Sequence, residues 1–111
     1  MSNQYIEKLE SALINKGWKI IEKEEEVDWA ISGTWKIQRS TKTSPIHIEF
    51  DGMDAIGSNI ITPMVSCHGC EIREHEGIYL RFKSLEKEWS KKLKLFLSEL
   101  DRHEQEVIKN V

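Results

Sequence analysis

A chain of 111 residues, 39% hydrophobic and 32% charged, has room for one domain and a core that buries about two-thirds of the unfolded surface. Its formal net charge of −3, from 16 basic and 19 acidic side chains, argues against nucleic acid as the main partner, because such binding rests on neutralising phosphates with Lys and Arg. No run approaches the apolar length of a membrane span, and the N-terminal MSNQYIEKLE has neither the basic nor the apolar region of an export signal, so a cytoplasmic protein with no membrane partner is expected.

The charge is uneven: residues 1 to 79 carry 13 acidic against 8 basic side chains, residues 80 to 111 carry 6 against 8. The two cysteines are expected as reduced thiols, since nothing in the chain directs it to an oxidising compartment.

Residues 3 to 16 place Tyr5, Ile6, Leu9, Ala12 and Leu13 on one face at helical spacing, and Gly17 follows as a C-terminal cap. WKIIE, 18 to 22, is compatible with a strand, and the acidic EKEEEVD, 22 to 28, reads as a solvated loop that ends it. Further on, Trp35, Ile37 and Arg39 alternate with Lys36 and Gln38. A polar turn from Ser40 to Pro45 leads to Ile46, Ile48 and Phe50, which alternate with His47, Glu49 and Asp51 in a half-buried strand ending at Asp51-Gly52. Residues 53 to 60 read as a loop, and a strand from about Ile61 to Cys67 follows, its Pro63 favouring an edge.

The segment SCHGCEIREHEGIYLRF, 66 to 82, holds both cysteines and two of the four histidines. Cys67-His68-Gly69-Cys70 has C-x-x-C spacing, and His68, His75 or His47 could complete a tetrahedral zinc site. Hairpin geometry offers another reading. With His68-Gly69 as a two-residue turn, Cys67 faces Cys70 and Val65 faces Ile72. With His75-Glu76-Gly77 as a three-residue turn and Gly77 left-handed, Glu74 faces Ile78, Ile72 faces Leu80, and Cys70 faces Phe82. Both registers gather Val65, Cys67, Cys70, Ile72, Leu80 and Phe82 on one apolar side. The cysteines are therefore expected as core thiols, with no metal or other cofactor. A redox role fits less well, since a reactive C-x-x-C opens a helix, whereas Glu71-Ile72-Arg73 reads as strand.

Ser84 is a good N-cap for the last element, in which Leu85, Trp89, Leu93, Phe96, Leu97, Leu100, Val107, Ile108 and Val111 keep a helical rhythm to the C-terminus. At up to 27 residues such a helix reaches about 40 Å, more than a six-residue strand needs for cover, so its end is a candidate homodimer contact. The order predicts an α+β fold, residues 1 to 111 as one domain, with an antiparallel meander of about five strands covered on one face by an N-terminal and a long C-terminal helix.

Two polar groups remain as functional candidates. His47-x-Glu49-x-Asp51 lies along one strand face, where it could hold a divalent cation in a hydrolase, but any strand with Ile46, Ile48 and Phe50 inside must show polar residues outside. No P-loop, G-x-S-x-G or H-E-x-x-H occurs, and no enzyme is expected. The acidic run suits a contact surface for a basic protein, with carboxylates steering the encounter and Trp29 as a buried anchor.

EKEEEVD, the EFDGMD segment and the α+β layout together resemble, as a type, the small immunity proteins of bacterial polymorphic toxin systems, including contact-dependent growth inhibition. The resemblance implies an antitoxin that binds a cognate toxin domain, in many cases a nuclease, whose basic groove it blocks. Glu24, Glu25, Glu26, Asp28, Trp29, Asp51 and Asp54 are the candidate contact residues. A small acidic secretion chaperone is the alternative, and a metal-dependent hydrolase the third reading.

Overall fold

The computed structural model describes residues 4–25, 31–39, 41–51, 69–75, 77–82 and 86–109. The elements run α1 (Gln4–Asn15), β1 (Lys19–Glu25), β2 (Ile31–Gln38), β3 (Ile46–Asp51), β4 (Gly69–Ile72), β5 (Tyr79–Arg81) and α2 (Glu86–Lys109). The strands form one antiparallel sheet in the order β1-β2-β3-β4-β5. This is the α+β meander that the sequence predicts, with both helices on one face of the sheet.

The α1 helix stops where expected, and its hydrogen bonds show how. Gly17 takes a φ of 89°, its N–H donates to the Ile14 carbonyl, and the Trp18 N–H donates back to Leu13. That is a Schellman closure, which satisfies two carbonyls the helix would leave open and sets Trp18 against the apolar side of Leu13. Leu9 and Leu13 are fully buried, and Tyr5, Ile6 and Ala12 pack beside them.

One core joins α1 and α2 to the sheet: Leu9, Leu13, Trp89, Phe96, Leu97 and Leu100 meet Trp35, Ile37, Ile48, Phe50, Cys70, Ile72 and Leu80. Aromatic rings carry the contact across it. Trp35 meets Phe50 at 4.8 Å between centroids, Phe50 meets Phe82 at 6.4 Å, and Tyr5 stacks on Phe82 at 5.7 Å and tilts against Trp89 at 5.0 Å. Each such pair contributes about 0.5–1.5 kcal/mol beyond its buried area. Tyr5 and Trp89 thus fasten the two helices to each other as well as to Phe82, the residue that follows β5.

The acidic run departs from the expected loop: β1 continues through it to Glu25. The reason is an alternation of charge in place of apolarity. Glu22 and Glu24 pair with Lys36 and Thr34 on the outer side of β2, while Lys23 pairs with Trp35 on the inner side. The Lys23 ammonium lies 4.9 Å from the Trp35 ring centroid and forms an ion pair with Glu10 of α1, so an aliphatic stem covers core surface where an apolar residue was sought. An inward lysine and the register break between Ile20 and Glu22 also suit a strand at the sheet edge, where both discourage pairing with other chains.

The registers around Cys70 differ from the expected ones as well. Gly69 is a strand residue opposite Arg81, not part of a two-residue turn, and Cys70 lies between Phe50 of β3 and Leu80 of β5. The places opposite Cys70 and Ile72 on the β3 side belong to Phe50 and Ile48, not to Cys67 and Val65, which lie outside the described residues with the whole 61–67 segment. On the other side Cys70 faces Leu80 in place of Phe82, a shift of two residues. A shift of two keeps every side chain on its face, so Cys70, Ile72, Leu80 and Phe82 are all buried and Cys70 is a core thiol. The cause is Arg73, whose N–H donates to the His47 carbonyl. The turn from β4 to β5 therefore opens at Arg73 and spans five residues, with Gly77 left-handed at φ 97°.

Gly69 sits where a side chain would not fit. A Cβ there would lie 2.6 Å from the Leu80 carbonyl oxygen and 2.6 Å from the Tyr79 hydroxyl. Gly69→Ala is expected to cost about 1–3 kcal/mol through overpacking, read as a lower urea midpoint with unchanged slope. A variant as stable as the parent would mean that β4 and β5 separate freely at that point.

Candidate functional site

Both helices lie on one side of the sheet, and among the described residues no element packs over the other, the open face. Strand alternation fixes what it shows. One row across the strands runs Glu24, Thr34, Glu49, Glu71 and Tyr79, each opposite the next; a second runs Glu22, Lys36 and His47. Arg73 joins the second row through its N–H bond to His47.

Three basic groups of this face are engaged, while Lys19 of β1, opposite Gln38, and Arg81 of β5, opposite Gly69, stand on it as well. Lys36 Nζ lies 2.9 Å from Glu22 Oε2, and Arg73 reaches Glu49 Oε2 through both Nε and a terminal nitrogen at 3.0 Å. His47 is held by Glu74, whose two carboxylate oxygens accept from the His47 backbone N–H at 3.0 and 3.1 Å, with Nδ1 2.5 Å from Oε1. Glu49 and Glu71 stand directly opposite, an arrangement that costs energy unless a cation intervenes. Arg73 supplies that cation to Glu49. Among the described residues, Glu24 and Glu71 have no ionic partner of their own, and both are exposed. Four carboxylates therefore border Lys36 and Arg73 in and around the β1–β3 part of the face: Glu22, Glu24, Glu49 and Glu74.

Of the expected contact residues, Glu24 is on this open face. Glu25 closes β1 and Asp51 closes β3; their side chains lie outside the described residues, as do Glu26, Asp28, Trp29 and Asp54. His47 and Glu49 share the face as the alternation requires, but each is bound to its own partner from 73–74 instead of converging on a third donor. Among the described residues no three metal-ligating side chains gather. Glu22, part of the acidic run that suits a contact surface, belongs to the face, as do Glu71 and Thr34, which the sequence pattern does not single out; the signal for Glu71 is its place between Cys70 and Ile72.

A second cavity, of about 280 Å³, lies at the far end of the sheet between the β4–β5 turn and α2, where the rings of His75 and His103 meet edge to face with centroids 5.4 Å apart. Val107 and Ile108, the candidate dimer contacts, are half-buried within the single chain. Among the described residues no helix is long and apolar enough to cross a membrane. Comparison with known proteins adds nothing to this geometry: no family model, no curated protein and no solved structure matches the chain.

Proposed function

We propose that this chain is a protein-binding inhibitor of the immunity type, which neutralises a basic toxin domain by docking it on the open face of the sheet. The observation that carries the reading is that, among the described residues, the helices cover one face only, and the other presents Glu22, Glu24, Glu49, Glu71 and Glu74 beside Lys19, Lys36, Arg73 and Arg81, with Glu24 and Glu71 in no ion pair. A flat face of this kind offers many groups fixed on strands, so a partner meets a preorganised surface. Charge of the opposite sign on the partner then speeds the encounter. Inhibition needs no chemistry beyond this: a protein seated over a basic substrate groove excludes the substrate.

The test is neutralisation. The reading expects a toxin domain encoded beside this chain; that domain is to be expressed with and without the chain, and growth and binding by calorimetry measured. Restored growth with tight binding supports the reading. Unrestored growth with no binding heat would remove it in favour of the chaperone alternative, for which a stable dimer and a secreted client would be the positive result.

A further inference from the structure

The cleft at the β1–β2–β3 end of the open face holds a buried hydroxyl that no described residue bonds. Its volume is about 210 Å³, and it is lined by Glu22, Glu24, Thr34, Lys36, His47 and Arg73. Thr34 is only 6% exposed although it points away from the core, and its Oγ1 has no hydrogen-bond partner among the described residues. A buried polar group left unpaired is costly, and each instance calls for an explanation.

The neighbouring pairings narrow what could satisfy it. Lys36 is taken by Glu22, Arg73 by Glu49 and His47 by Glu74. What the cleft has left is the Thr34 hydroxyl and, directly across the strand pair, the Glu24 carboxylate. Both accept hydrogen bonds, and one carries a full negative charge. An anion would find these cations already neutralised by Glu22 and Glu49, with the Glu24 carboxylate beside them. A cationic donor meets two waiting acceptors and breaks no ion pair.

We propose that this cleft receives one guanidinium of the partner, an arginine side chain whose N–H groups donate to Glu24 and to Thr34 Oγ1 at once. Glu24 and Thr34 are direct cross-strand neighbours, and the planar fork of five N–H donors meets two acceptors in one fixed geometry, where an ammonium brings a flexible point charge. Thr34 is thus a binding residue whose hydroxyl has no protein partner among the described residues and gains one in the complex. This inference rests on the reading of the open face as a docking surface for a basic protein. It is tested without that partner, so its failure and the failure of that reading are distinct.

The probe is N-acetyl-arginine methylamide, titrated into the ¹⁵N-labelled full chain at low salt, with the lysine analogue and inorganic phosphate as parallel arms. The expected result is saturable shifts of the Thr34 and Glu24 amides with the arginine probe. Binding should weaken at least about threefold in Glu24→Gln and in Thr34→Val, and the lysine probe should bind more weakly than the arginine probe. Thr34→Val should also melt no lower than the parent, because it removes an unpaired hydroxyl and keeps the shape. Stability kept or raised while binding falls is a signature that a purely structural threonine would not give. Shifts caused by phosphate instead, shifts scattered over all acidic residues, equal binding of the lysine probe, or no shift at all would each overturn the assignment.

Discussion

Arg39→Met is expected to lower the unfolding free energy by about 3–5 kcal/mol, the cost of leaving a buried charge without its partner. The Arg39 guanidinium donates to Glu104 Oε1 at 2.6 and 3.0 Å and to Asp101 Oδ1 at 2.7 Å, ties to the Lys16 carbonyl at 3.2 Å, and lies 4.4 Å from the Trp18 ring centroid. It therefore joins the end of β2 to the end of α1 and the last third of α2. The Glu104 side chain is 3% exposed, and its Oε2 has no hydrogen-bond partner among the described residues, so Arg39 is what holds its charge. Burial works against the guanidinium charge, but the hydrogen bonds to Glu104 and Asp101 outweigh it and raise the pKa further above its already high ordinary value. Methionine keeps an unbranched stem near Trp18 and removes the charge. In a domain whose whole stability is about 5–15 kcal/mol, the loss is large and visible in urea unfolding. The double variant Arg39→Met with Glu104→Met is expected to recover most of it, because an apolar pair can replace a buried ion pair at little cost. A single variant within about 1 kcal/mol of the parent would show that Glu104 is solvated and not held by Arg39. Arg39→Lys is expected to fall between, since one ammonium cannot reproduce the fork that meets both carboxylates.

Both halves of that cluster were written in the sequence, but apart. The alternation Trp35, Ile37, Arg39 already turns Arg39 toward the helices, and the helical stripe passes through positions 103 and 104 between Leu100 and Val107. A polar residue at a core position asks for a partner, yet local periodicity does not say which strand end lies beneath which helical turn. The meander, the face covered by the helices and the burial of Cys70 were legible because each follows from period-two or helical spacing within a few residues. The strand through Glu22–Glu25 was hidden, because its inward position is filled by Lys23 on Trp35, a contact between residues 12 apart in sequence. The two-residue shift opposite Cys70 was hidden too: it is set by Arg73 and Glu74 reaching across to His47 and Glu49 of β3, which no local turn rule contains. The open face follows the same division. Which residues point outward was readable from alternation, whereas Thr34 as a buried, unpaired hydroxyl depends on what surrounds it from three strands.

The reversal Glu24→Lys with Glu71→Lys is expected to slow association with the basic partner by about 10- to 100-fold at low salt, with a smaller change in dissociation. It should also flatten the dependence of the association rate on salt, because steering by opposite charge is the contribution that salt screens. Both residues are exposed, and neither has an ionic partner among the described residues, so the free chain should melt close to the parent temperature, within the small range of surface substitutions. The control reverses the same charge on the helical side: Glu7→Lys with Glu88→Lys, both exposed. If binding were governed by net charge alone, the two double variants would slow association equally. If the open face is the docking surface, the sheet variant slows it far more, since the charges it inverts lie within a Debye length of the partner, about 8–10 Å at moderate salt, while those on the helices stand across the thickness of the core. Equal and small effects from both variants would move the interface off the sheet altogether.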